Sequence, residues 1–197
     1  RSYLKSRGLG DVYKRQNKPR IQPVNADLNE PLRSKMEKVF PAALPSPNLY
    51  RGVARNESLF IDMIDIGFMG PTGLMDRKTI PPRRRELLIL RTCVQAGNVY
   101  EFHLHERTIS ERMGLTKLEI QDLKSADIGK DIWSDEDISL IALADVLVNT
   151  TAVPDEVYEH AATHFSEAEL IEMTLLIGLY TSVAMLASLI RPEFDPY

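Results

Sequence analysis

Glu86 is followed twelve residues later by the run Asn98-Val99-Tyr100-Glu101-Phe102-His103-Leu104-His105, which brings two carboxylates, an amide and an imidazole close together in the chain. In a helix Asn98, Glu101 and His105 stand at i, i+3 and i+7, so they share one face. Glu86 lies on the preceding segment, Pro82 to Ala96, and joins them only if that segment folds back. Such a set handles protons: an imidazole held by a carboxylate donates or accepts one at a reacting atom. Two carboxylates buried together would drive one pKa up, leaving one glutamate protonated as a donor. Glu86, Glu101 and His105 are therefore the candidate catalytic groups, with Asn98 and Tyr100 as candidates for orienting a substrate carbonyl. By itself, Glu101 with His105 at i, i+4 is also what a solvated helix face produces, a weak surface pair worth about 0.2–0.5 kcal/mol. Cys93, seven residues after Glu86, falls on the same helical face and is a possible accessory; its simpler reading is a small buried core residue.

The elements that must position these groups all read as helices. Leu28, Leu32, Met36 and Val39 predict a helix over Asp27 to Phe40, ended by Pro41. Asn48 to Phe68 carries Leu49, Val53, Leu59, Phe60, Met63, Ile64 and Ile66 and predicts two short helices broken near Asn56. Gly67 to Pro82 is a loop that delivers a proline to the first turn of the next helix. Thr116-Lys117-Leu118-Glu119, Ser134-Asp135-Glu136-Asp137 and Ser166-Glu167-Ala168-Glu169 each fit a capping box, and Gly114 is expected to close the His105 helix. No stretch shows convincing period-two alternation, so the fold class is all-α, a single helical domain of seven or eight helices.

Composition narrows the function classes. Residues 1–16, ending in Asp11-Val12-Tyr13-Lys14-Arg15-Gln16, read as an adapter or assembly scar; without their five cations and one acid, 19 basic residues face 27 acidic ones. That balance argues against a nucleic-acid or anionic-membrane surface. Residues 17–46 are expected to form an arm with one helix and 47–192 the main helical domain. Leu170 to Ile190 is strongly apolar but broken by Glu172, Thr174, Gly178 and Ser182, so it reads as a buried helix or a self-association face rather than a membrane span. One cysteine excludes an intrachain disulfide or CxxC redox pair and suits a cytoplasmic setting. Two glutamates and a histidine also suit a divalent metal. The helical di-iron pattern, however, repeats Glu-x-x-His on paired helices, and the spacing at Glu101 is Glu-x-x-x-His, so no metal is expected. Arg83-Arg84-Arg85 reads as a solvated helix start, Arg91 as a salt-bridge or subunit contact, and His103 as a surface residue.

Arg85-Glu86-Leu87-Leu88-Ile89-Leu90-Arg91, then Tyr100-Glu101-Phe102 ending on His105, then Met113-Gly114-Leu115-Thr116, resemble the carboxymuconolactone decarboxylase family, which includes alkylhydroperoxidase D (AhpD). The resemblance extends from about Leu49 to Ile190, including Phe165 to Leu170 before the last helix. In the family's peroxidase branch a glutamate precedes a CxxC pair by twelve residues and a histidine follows it by four. Glu86 and His105 match that glutamate and histidine, whereas Asn98 and Glu101 stand where the cysteines would be. The resemblance thus implies an AhpD-like fold, a homo-oligomer, and the non-CxxC branch: a cofactor-independent decarboxylase acting on a small acidic lactone or related carbonyl compound. A peroxidase of antioxidant type and a non-catalytic, oligomeric ligand-binding relative remain the alternatives.

Overall fold

The computed structural model describes residues 18–40, 45–70, 73–125, 127–129 and 131–197; the segment read as a scar lies outside them. Among the described residues there are nine helices and no strand: α1 Leu32–Val39, α2 Asn48–Val53, α3 Glu57–Asp65, α4 Pro82–Gln95, α5 Val99–Thr108, α6 Lys117–Leu123, α7 Asp135–Thr150, α8 Asp155–Ala162 and α9 Glu167–Ile190. The all-α expectation holds, with the count just above the predicted range. The chain forms two compact units, one of residues 80–184 and one of residues 18–79 with 185–197.

In the unit of residues 80–184, α4 packs against α5, α6 and α7, and α7 also packs against α8. Pro82 occupies the first turn of α4, where a missing N–H costs nothing. Nine consecutive residues from Glu86 to Val94 are buried, so α4 is enclosed on every side and any charge on it must be matched by another element. Arg91 is 1% exposed; its guanidinium donates to Asp145 Oδ1 and Oδ2 at 2.5 and 2.7 Å and to the carbonyls of Leu123 and Ser125 at 3.1 and 2.8 Å. It therefore joins α4 to α7 and to the end of α6, an ion pair within the chain.

The arginine run at the start of α4 is not the solvated helix start expected. Arg83 bonds Asp137 at 2.6 Å and Glu119 at 2.5 Å, and Arg84 bonds both carboxylate oxygens of Glu136 at 2.6 and 2.8 Å. Glu119 and Asp137 are also the acids of the α6 and α7 capping boxes, both of which form, as does the Ser166/Glu169 box that opens α9. The same carboxylates that satisfy free N–H groups thus receive α4, a use invisible to a local reading.

In the second unit α1 begins at Leu32 rather than Asp27, because Pro31 lacks an N–H and disfavours helical backbone at the residue before it. Leu32 and Met36 point inward, and α1 packs on α3. Asn56 divides 48–68 as predicted, its side chain accepting from Leu59 N–H at 3.3 Å to start α3. Leu59 and Ile66, assigned to the apolar face, are exposed instead. The tail returns here: Asn48 N–H donates to Asp195 at 2.9 Å, and Arg20 N–H to the Ile190 carbonyl at 2.9 Å. Gly73 is required where it stands, since a Cβ there would lie 2.2 Å from the Gly67 carbonyl oxygen.

Helix α9 is long and apolar enough, by length and composition, to cross a membrane. Met173, Leu176, Ile177, Tyr180 and Val183 are buried, while Ile171, Leu175, Met185 and Leu189 are exposed at helical spacing.

Candidate active site

α4 and α5 are joined by Gly97, whose φ of +67° suits glycine, and Asn98, whose backbone N–H donates to the Cys93 carbonyl at 2.8 Å. This tight turn folds α5 back on α4 and brings His105 to Glu86. His105 Nδ1 lies 3.0 and 3.2 Å from the two Glu86 carboxylate oxygens. His105 Nε2 lies 3.6 Å from Glu101 Oε1, beyond a hydrogen bond but within ion-pair range. Glu86 and Glu101 are each 1% exposed and His105 is 5% exposed, so the three predicted groups meet in a shielded place.

Sequence reasoning missed two neighbours of this trio. Ser110, fully buried, donates its hydroxyl to Glu86 Oε1 at 2.6 Å. It arrives there because α5 ends at Thr108 rather than running on to Gly114: the N–H groups of Ile109 and Ser110 both donate to the His105 carbonyl, at 2.9 and 3.0 Å, and the chain then turns inward. Gly114 does adopt positive φ, +104°, but it closes that turn and not the helix. Tyr180 of α9 stands edge-on to the His105 ring, centroids 5.8 Å apart. A buried serine five residues past a candidate histidine leaves no periodic signal, and Tyr180 is too distant in sequence to suggest itself.

The other predicted residues divide. Asn98 is not on the α5 face with Glu101 and His105; it is the N-cap of α5, its Oδ1 accepting from the Glu101 N–H at 3.2 Å. Its Nδ2, also buried, has no hydrogen-bond partner among the described residues and remains available to a carbonyl. Tyr100 is buried on the first turn of α5, about 100° round the helix from Glu101. His103 is half-buried. Cys93 is fully buried, and its thiol is pushed well above the ordinary range by burial and by the negative charges of Glu101 and Glu86.

The charges of Glu86 and His105 follow from these contacts. Burial by itself would lower the His105 pKa, but the charge of Glu86, the close approach of Glu101 and the hydrogen bonds to Glu86 outweigh it and raise it to about 10. Burial would raise the Glu86 pKa. The charge and hydrogen bond of His105, the Ser110 hydroxyl and the charge of Arg85 together hold it below its ordinary value. Glu86 is therefore an anion and His105 an imidazolium at neutral pH.

This pair makes stability depend on pH in a defined sense. Below 4.5, the ordinary glutamate value, the unfolded chain takes up a proton that folded Glu86 refuses, so the pair's contribution shrinks with acid. Above 6.5 the unfolded chain releases a proton that folded His105 keeps, so the contribution declines as pH rises toward about 10. Both contributions are complete between 4.5 and 6.5. Thermal unfolding measured from pH 4 to 10 should show Tm falling on the alkaline side more steeply in the wild type than in His105→Gln, and parallel curves would refute the assignment.

Comparison with known proteins bears on the scaffold. No family model matches the chain, and no curated protein matches it. A solved structure from Agrobacterium tumefaciens, of a protein of unknown function proposed as an antioxidant-defence AhpD, superposes with a TM-score of 0.65 at 18% identity, covering 74% of this chain and 97% of its own. The fold is AhpD-like. The apo structure of the debrominase Bmp8 also superposes with a TM-score of 0.65, at 16% identity, over 92% of this chain and 95% of its own. The AhpD-like fold is thus shared by proteins with different descriptions, and at these identities the likeness carries the architecture alone.

Proposed function

We propose that this protein is a cofactor-independent acid/base enzyme that decarboxylates a small acidic lactone or related carbonyl compound, as the resemblance to carboxymuconolactone decarboxylase implies. The single observation that supports this reading best is the buried imidazole of His105 set between the carboxylates of Glu86 and Glu101. When the carboxylate of such a substrate leaves as carbon dioxide, the bonding electron pair remains as an enolate that needs a positive charge nearby and then a proton on carbon. His105 serves both needs. Glu86 engages Nδ1 and fixes the ring with help from Ser110, which leaves the Nε2–H as the proton to be delivered. Glu101, beside Nε2, then favours recharging of the imidazole from solvent. In this scheme Glu86 and Ser110 are positioning residues, His105 and Glu101 touch the substrate, and Asn98 Nδ2 supplies a donor to its carbonyl.

The alternative, a thiol peroxidase of antioxidant type, requires an accessible thiolate of lowered pKa. Cys93 is fully buried and its thiol is shifted the other way. The apolar stripe Ile171, Leu175, Met185 and Leu189 favours self-association into a homo-oligomer, and a cytoplasmic setting goes with this reading. The direct test is a screen of carboxylated lactones with the full chain, following carbon dioxide release, alongside peroxide consumption with a dithiol. Turnover of a lactone, unchanged in Cys93→Ser, is expected. Peroxide turnover abolished by Cys93→Ser, with no lactone consumed, would overturn the proposal.

A further inference from the structure

A separate group of metal-ligating side chains gathers where α7 begins and α8 ends. Asp135 is the first residue of α7, His160 lies in the last turn of α8, and His164 follows two residues after that helix. The histidines are four apart in sequence, so they fall on one side, with ring centroids 5.6 Å apart. Each directs Nε2 at the same carboxylate: His160 lies 3.1 Å from Asp135 Oδ1 and His164 lies 2.9 Å from Asp135 Oδ2. One ligand atom from each of the three residues lies within 4.8 Å of the others.

These separations match the coordination sphere of a single small ion. Ligand atoms held about 2.0–2.2 Å from a zinc-sized metal at tetrahedral angles stand roughly 3.3–3.5 Å from one another, so small side-chain adjustments suffice to receive one. The cluster is also braced. Arg84 bonds both oxygens of Glu136, the residue after Asp135, and its guanidinium lies 5.3 Å from the ring centroid of Phe165, the residue after His164. One arginine on α4 thus holds the side chains next to two of the three ligands in sequence. The Asp135 side chain is 72% exposed, against 35% and 23% for the histidines, so water can complete the sphere from the open side.

We propose that Asp135, His160 and His164 form a binding site for one divalent transition-metal ion of the zinc class, with water in the remaining positions. Two imidazoles and one carboxylate select such ions over magnesium or calcium, which prefer all-oxygen sets. On binding, the ion takes the place of the direct contacts between the two Nε2 atoms and the Asp135 carboxylate. The site uses different helices from the Glu86/His105 pair and stands whether or not that pair is catalytic.

The test is a zinc titration of the metal-stripped full chain in competition with a chromophoric chelator, with imidazole nitrogen NMR on the same samples. One equivalent should bind, and two of the four imidazoles in the chain should shift, assigned by substitution to His160 and His164. His160→Ala, His164→Ala and Asp135→Asn should each weaken binding by at least about tenfold, since even groups one shell out from a metal contribute that much. His105→Gln should leave the stoichiometry unchanged. Circular dichroism confirms that each variant is folded, and the conservative Asp135→Asn covers the case in which a histidine variant is not. Absence of zinc binding, shifts confined to His103 or His105, or unweakened binding in Asp135→Asn would overturn the proposal.

Discussion

His105→Gln is expected to lower turnover of the lactone found by screening by about 10²–10⁴-fold, the range typical of removing a positioned general acid. Glutamine preserves an N–H donor toward Glu86 but carries no charge and no transferable proton, so the carboxylate stays hydrogen-bonded while the enolate loses its partner. Ser110 continues to donate to Glu86, which limits the cost of leaving that carboxylate without its cation. Ser110→Ala separates positioning from chemistry. It removes one hydrogen bond from Glu86 and should reduce turnover far less than His105→Gln while altering its pH dependence. The measurement is kcat and kcat/KM across pH, with the fold verified by circular dichroism. A His105→Gln protein that turns over substrate within tenfold of the wild type would exclude His105 as the proton donor.

The second large effect is structural. Asp145→Ala removes the carboxylate that pairs with the Arg91 guanidinium, which is 1% exposed and also donates to the Leu123 and Ser125 carbonyls. Removing one member of a buried pair costs about 3–5 kcal/mol, because the remaining charge stays desolvated. The Asp145 side chain is 30% exposed, so water relieves part of that penalty and the lower end, about 3 kcal/mol, is expected. For a chain of this size that corresponds to a fall in Tm of roughly 6–12 °C. Arg91→Met, which removes the buried charge and fills much of the same space, should cost less than Asp145→Ala. Equal losses in the two variants, or a loss below about 1 kcal/mol in Asp145→Ala, would show that the pair is not what joins α4 to α7.

How much could be read in advance follows from the range of the forces involved. The three capping boxes pair residues three positions apart, so Thr116/Glu119, Ser134/Asp137 and Ser166/Glu169 were legible as helix starts and form as such. The meeting of Glu101 and His105 is likewise a matter of helical spacing. Boundaries set by competition were less legible. The helix expected from Asp27 begins at Leu32 because Pro31 intervenes, and α5 stops at Thr108 because the chain turns to bury Ser110. Arg83 and Arg84 looked like a solvated start because their acceptors lie on helices more than thirty residues away. Which charge Glu86 carries was not legible for the same reason. Two buried carboxylates suggested a raised value for one of them, but at Glu86 burial is outweighed by an imidazole at 3.0 Å and a hydroxyl at 2.6 Å, which stabilise the charged form.

What the amino-acid order determined was local: which stretches are helical, where most of them start, and that Glu101 and His105 stand one helical turn apart after Glu86. Only the tertiary structure decided which polar groups face each other. It set Glu86 against His105 and Ser110, Arg91 against Asp145, and Asp135 against His160 and His164. Periodicity specifies which face of a helix a side chain occupies, but the protonation of a buried group depends on charges a few ångströms away, and those are supplied by whichever distant segment the packing brings alongside.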